Sequence, residues 1–304
     1  GFLSFAAMLL VLVSATTGAV CGFVASSWIR WIRKPKKSYA QFESFEVIQQ
    51  NLWSDAAKAT AKADGAKNLE ILRAGNLLGK MWPVRISCRR EADGAPGKVI
   101  HFIRHGQGFH NSLFDFSSVF DFEVGDISPY HIPEMLDPPL TEIGRQQVLV
   151  LRGAAQGTAP QLVLVSPMSR ALMTSNIAYA HLVGKVPFIA HDGCKEKSHA
   201  MAADYRRSAT MAQADFPNVD FSLVPDKDPL LDSLKPETDL DVAQRAYNFM
   251  LFIRDRPETE IVVSTHSAWL FNVFNVVMKC DGSPELAEWF ANGEMRSVQV
   301  SFES

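Results

Sequence analysis

Cysteine is scarce in this sequence: four residues in 304, at positions 21, 88, 194 and 280, with no CxxC pair among them. That spacing indicates neither a zinc site nor a disulfide framework, and reduced thiols are expected. An excess of one charge is also missing. Thirty Lys and Arg face 33 Asp and Glu, for a formal charge of −3, which offers no global case for nucleic-acid binding. There is no internal repeat and no low-complexity tract. Hydrophobic residues make up 47% and charged residues 21% of the chain, which excludes a disordered or collagen-like polymer. The length suits one large domain or two modest ones and supports a core without metal or disulfide staples. No initiator methionine opens the chain, which predicts an earlier segment removed by processing or by trimming. One absence is local: residues 1–29 carry no charge at all.

That uncharged run, GFLSFAAMLLVLVSATTGAVCGFVASSWI, is followed by Arg30, Arg33, Lys34, Lys36 and Lys37, with Trp28 and Trp31 at the junction. A helix of roughly 20 apolar residues spans a bilayer core, and interfacial aromatics backed by basic residues complete the pattern. A cleaved signal peptide would carry its basic residues before a shorter apolar run. The sequence therefore predicts a transmembrane helix over 1–29, with membrane lipid as its surroundings. Ser14, Gly18, Gly22 and Ser26 recur every four residues and share one helical face, which predicts close packing against a helix of a membrane protein complex. The basic flank predicts a single-pass protein whose carboxyl-terminal domain lies on the cytoplasm-like side. In an organelle that side is the mitochondrial matrix or the chloroplast stroma, with a mitochondrial inner membrane expected first and a thylakoid second.

Residues 30–97 read as the basic flank, a helical arm and a Pro/Gly-rich connector over 81–97. From Lys98 the texture changes. Strands are predicted at 99–103, 162–165, 186–190, 260–265 and 295–302. Helices are predicted at 141–155, 168–182, 239–255 and 268–278, with Thr141 as an N-cap. This alternation implies an α/β domain over 98–304, a mostly parallel sheet with helices on both faces. Ligands of such sheets bind beyond the carboxyl ends of the strands. Polar residues cluster at four such ends: Arg104 and His105, Ser166 to Arg170, Asp192 to Glu196, and His266.

Two arginines and two histidines at strand ends point to phosphoryl transfer. Arginine offers a planar fork of donors to phosphate oxygens. A neutral imidazole is a nucleophile towards phosphorus, and a carboxyl group must protonate the leaving oxygen. His101, His105 and His110 could suggest a metal, but no carboxylate or thiolate clusters with them and no metal is expected. Trp269, Phe271 and Phe274 follow His266 at helical spacing and read as core. Gly106 and Gly108 read as positions of close backbone approach to phosphate.

The motifs FIRHGQGFHN (102–111), DPPLTEIGRQQ (137–147), VSPMSRALMTS (165–175), CKEKSHAMAADYRRS (194–208), PETDLDVAQR (236–245), IVVSTHSAWL (261–270) and GEMRSVQ (293–299) occur in this order. With them the chain resembles the phosphoglycerate mutase-like branch of the histidine phosphatase superfamily, through its RHGQGxHN motif. The resemblance covers about two thirds of the chain. It implies hydrolysis of a phosphorylated small molecule or phosphoprotein, with no metal or organic cofactor. His105 would be the nucleophile. Arg104, Arg170, His266 and Asn111 would hold the phosphoryl group, and Glu196 would be the proton donor, with Asp192 as the alternative. The chain departs from relatives with Lys195 in place of Arg, His199 in place of Gly, and Ala203 in place of Cys. Two further functions stay open: a structural accessory subunit of a mitochondrial or photosynthetic membrane complex, and a phosphoglycerate-type mutase.

Overall fold

The computed structural model describes residues 82–90, 97–112, 135–199, 201–231, 236–280 and 283–303. All of them fall in one compact unit. The expected membrane helix over 1–29, its small-residue face and the arm up to residue 81 lie outside the described residues. No described helix is long and apolar enough to cross a membrane.

Among the described residues seven strands form one sheet: β1 (Arg85–Arg90), β2 (Lys98–Arg104), β3 (Leu162–Val165), β4 (Phe188–Ala190), β5 (Glu260–Thr265), β6 (Met278–Cys280) and β7 (Met295–Glu303). Their order is β4-β3-β5-β2-β7-β1-β6. β4, β3, β5 and β2 run parallel, as do β1 and β6, while β7 runs antiparallel to both β2 and β1. The helices are α1 (Glu142–Ala155), α2 (Ser169–Ala178), α3 (Ala209–Asp215), α4 (Asp239–Arg254) and α5 (Ser267–Asn272). The sheet is mixed α/β with flanking helices, as the alternation of the sequence requires.

Alternate strand residues feed two separate cores, because successive side chains of a strand point to opposite faces. Leu162, Leu164, Ile261 and Val263 pack with Phe249 and Met250 of α4 and Trp269 of α5. Val163, Val165 and Val262 pack with Val148 and Leu151 of α1, Leu172 of α2 and Ala212 of α3. A strand buried on both faces reads as an unbroken apolar run, and LVLV is one.

Local chemistry sets the helix starts. Thr141 caps α1, its side chain accepting from Gly144 N–H. Thr238 caps α4 through a reciprocal box with Asp241, which satisfies two otherwise unpaired N-terminal donors.

Three readings need correction. The connector over 81–97 contains β1, which pairs along its full length with β7; its buried positions are only Ile86 and Cys88, between exposed arginines. The helix predicted to Met278 stops at Asn272, continues as a wider turn over Val273–Val277 and ends in strand β6. The valines there prefer the pleated sheet to a helix, where their branched side chains are restricted. Third, the cysteines are not all dispersed. Cys88 and Cys280 are register partners on β1 and β6, and their Sγ atoms lie 2.6 Å apart.

Candidate active site

Strand register assembles the site. Arg104 on β2 pairs with Thr265 on β5, and Val165 on β3 pairs with Ser264 on β5. The residues one step beyond are His105, His266 and Ser166, so these three meet at one edge of the sheet. The rings of His105 and His266 have centroids 5.0 Å apart. Ser166 Oγ lies 2.7 Å from His266 Nε2. Nδ1 of His266, buried, has no hydrogen-bond partner among the described residues.

His105 is held in one tautomer. Its Nδ1 lies 2.6 Å from the carbonyl oxygen of Gly106, and a carbonyl only accepts, so Nδ1 carries the proton. Nε2 is left with its lone pair, towards which Arg170 Nε donates at 3.3 Å. Arg170 sits on the first turn of α2, and its Nη1 also donates to the carbonyl of Ala203 at 3.1 Å. Arg104 Nη1 donates to the carbonyl of Phe290 at 2.7 Å. Both arginines are buried.

Close packing fixes the loop after β2. A Cβ on Gly106 would stand 2.5 Å from Gly144 O, and one on Gly144 would stand 2.1 Å from Gln107 O. Only glycine at both positions lets α1 lie against this loop. Asn111 Oδ1 accepts from Gly108 N–H at 3.0 Å. Asn292 Nδ2 donates to the carbonyl of His105 at 3.2 Å.

Glu196 is buried against the first residues of α5, which follow His266. Its carboxylate accepts from the backbone N–H of Lys197 at 2.9 Å and of Trp269 at 3.1 Å, with Ser267 Oγ at 3.3 Å. The loop that carries it hangs on Arg245, whose guanidinium donates to the carbonyls of Lys195 at 2.7 Å and Glu196 at 2.9 Å. Glu237 holds Arg245 through two bonds of 2.7 and 3.0 Å. The PETDLDVAQR motif thus acts on the site as a bracket for the acid loop.

Asp192, the alternative acid, is occupied elsewhere: both its oxygens accept from Arg206, at 2.9 and 3.1 Å. Lys195 is likewise engaged elsewhere. Its Nζ lies 2.6 and 2.7 Å from the two oxygens of Asp228, with both side chains nearly inaccessible at 3% and 0%. Lys195→Met would strand a buried carboxylate, and a loss of about 3–5 kcal/mol in urea unfolding is expected. Adding Asp228→Leu should recover only part of it: the stranded charge is then gone, but the backbone N–H groups of Arg206 and Leu230 lose their acceptor. His199 has no left-handed backbone; among described non-glycine residues only Asp137 has positive φ. The replacement of Gly by His therefore costs no backbone strain. Its ring lies 3.7 Å from Asp204.

The sequence reading missed His110, read only as a non-ligand, although its ring centroid is 5.6 Å from that of His105. It also missed Ser166 and Asn292 as partners of the histidines. Asp137 anchors α2 by accepting from Ser169 N–H and Oγ, both at 2.7 Å, and so positions Arg170 one residue on. The DPPLT segment carried no local signal of this, because its partner is 32 residues away.

Burial, reinforced by the Arg170 guanidinium, pushes His105, His110 and His266 all well below the usual imidazole value. The folded state keeps them neutral while the unfolded chain titrates near 6.5. Stability from this source is fully present above pH 6.5 and is lost as pH falls below it, since the unfolded chain takes up the protons first. Each histidine adds a slope of up to about 1.4 kcal/mol per pH unit in that window. Urea unfolding between pH 7.5 and pH 5 should show the decline, and His110→Gln should make it shallower.

The site can be compared with known proteins. The model of the histidine phosphatase superfamily (branch 1) matches residues 100–291. A phosphoglycerate mutase-like protein of Arabidopsis thaliana is 30% identical over 237 residues, covering 67% of this chain and 84% of that protein. Phosphoglycerate mutase-like protein 2 of the same plant is 29% identical over 259 residues, covering 66% of this chain and 73% of its own. The solved ecdysone phosphate phosphatase from Bombix mori, in complex with tungstate, aligns with a TM-score of 0.42 and 16% identity, over 58% of this chain and 75% of that one.

Proposed function

Because the chain belongs to the histidine phosphatase superfamily, branch 1, we propose that it hydrolyses a phosphomonoester through a phosphohistidine on His105. The observation that carries this reading is the His105 ring: Nδ1 pinned to Gly106 O and the lone pair of Nε2 turned to Arg170. A neutral, oriented imidazole needs no proton removed before it attacks.

In the first step Nε2 of His105 forms a bond to phosphorus as the ester oxygen departs. Arg170 and Arg104 balance the charge that gathers on the equatorial oxygens. His266 Nδ1 is the remaining donor position of that ring, its Nε2 being engaged by Ser166. Asn111, whose oxygen closes the loop on Gly108, can offer its amide nitrogen. Glu196, as the proton donor, protonates the leaving oxygen. In the second step a water attacks the phosphohistidine, Glu196 takes its proton, and phosphate and His105 are released. The test is phosphate release from an aryl phosphomonoester by the purified chain, with competitive inhibition by orthovanadate, a mimic of the trigonal-bipyramidal phosphoryl group. Release no faster than from the heat-denatured chain would contradict the reading.

The uncharged run over 1–29 and its basic flank support a membrane-tethered form in an organellar inner membrane, with the catalytic domain on the matrix or stromal side. They also favour a second reading, an accessory subunit of a membrane complex that keeps the phosphatase fold. Alkaline carbonate extraction of native membranes tests the tether; release into the supernatant would contradict it. Migration of the chain as a lone species in mild detergent would contradict the accessory role.

A further inference from the structure

Cys88 and Cys280 stand outside the phosphate site and are used by nothing in it. They are direct register partners on hydrogen-bonded parallel strands, so their backbones lie at the spacing of neighbouring strands, about 4.8 Å, within the Cα range that disulfides occupy. Their side chains point the same way and their sulfur atoms are already in contact, so bridging them asks for no movement of the sheet. The surroundings differ usefully. Cys88 is buried and Cys280 is partly exposed on β6, one of the two three-residue strands at the edges of the described sheet. Cys194 is the internal contrast. It is fully buried, desolvation pushes its thiol far up, and no other described cysteine sulfur lies within bonding reach of it; its Sγ donates to the carbonyl of His191, as that of Cys280 does to the carbonyl of Phe274.

We propose that Cys88 and Cys280 are a thiol–disulfide pair that staples the edge strand β6 to β1. The oxidant is a small-molecule disulfide of the glutathione class. The Cys280 thiolate attacks one of its sulfurs, forming a mixed disulfide and expelling the first thiol. The Cys88 thiolate then attacks the Cys280 sulfur, forming the protein disulfide and expelling the second. Two protein thiols are oxidised, one external disulfide is reduced to two thiols, and the two protein protons pass to the departing thiolates. β6 follows directly from the turn after α5, whose first residues hold Glu196. The bond therefore fastens the far end of the segment that carries the acid's donors. It also joins positions far apart in the chain, which restricts the unfolded state and raises stability.

The experiment uses the full chain, equilibrated with oxidised glutathione or with dithiothreitol, alkylated in the native state and digested without reduction. The oxidised sample is expected to give one linked peptide pair through Cys88 and Cys280, lighter by two hydrogens than the two unalkylated peptides together, whereas the reduced sample gives the two peptides separately, each alkylated. Cys194 is expected to alkylate only after unfolding. In Cys88→Ser, Cys280 should instead stop at a stable glutathione adduct, and in Cys280→Ser Cys88 should remain a thiol. The oxidised form should melt above the reduced one, and dithiothreitol should reverse the shift. A stable glutathione adduct on Cys280 of the unaltered chain, or both cysteines recovered as thiols after oxidation, would overturn the proposal.

Discussion

His105→Ala is expected to lower phosphomonoester hydrolysis by about 10⁴–10⁶-fold, the scale on which enzymes lose rate when a covalent nucleophile is removed. Arg104, Arg170 and His266 remain in this variant, so substrate binding should survive and the loss should fall on kcat. The fold should survive too. The His105 side chain is one small ring in the site, not part of either apolar core. Removing it also removes one of three buried neutral histidines, so the variant should lose less stability than the parent as pH falls below 6.5. Steady-state kinetics with an aryl phosphate and urea unfolding at pH 7.5 and pH 5 measure both effects. Equal kcat in the two proteins would place the chemistry elsewhere.

Arg170→Ala should cost about 10³–10⁵-fold, the contribution of a single arginine to a phosphoryl-transfer transition state. Arg170 faces His105 Nε2 directly and its Nη1 donates to the carbonyl of Ala203. In the proposed mechanism it would both stabilise the transferring group and tie the Ala203 segment to His105. Arg170→Lys keeps a charge but loses the planar fork, and only part of the rate should return. A second readout separates this electrostatic role from simple packing. The Arg170 charge is the largest influence after burial in keeping His105 and His266 unprotonated. Removing it should raise the pH at which activity falls off on the acid side, whereas Arg170→Lys should leave that limb close to its original position. An unshifted acid limb in Arg170→Ala would contradict the assignment.

The strands that build the site were legible because they are buried on both faces and read as unbroken apolar runs ending in polar residues. Leu162–Val165 and Glu260–Thr265 appear at the bounds read from sequence. Thr141 was legible as a cap because capping is a contact between residues three apart. β1 was not legible, since half of its residues are exposed and its apolar character is conferred by pairing with β7, some 200 residues away. The same reasoning covers the site. Arg104, His105, Arg170, Glu196 and His266 sit at strand ends, in the loops after them or on the first turn of the following helix, where motif and topology coincide. The roles of Lys195 and Asp192 depended on Asp228 and Arg206, each reached only through the folded acid loop. A charged residue beside a catalytic motif looks the same in sequence whether it faces substrate or a buried partner.

Covalent chemistry on His105 leaves an intermediate that can be trapped. The purified chain is mixed with a phosphorus-labelled aryl phosphate, quenched within milliseconds in alkali, where phosphohistidine survives, and mapped by mass spectrometry. Label is expected on the peptide holding His105, retained in Glu196→Gln and absent from His105→Ala. Label absent from that peptide in the active enzyme, or equal label in His105→Ala, would contradict it.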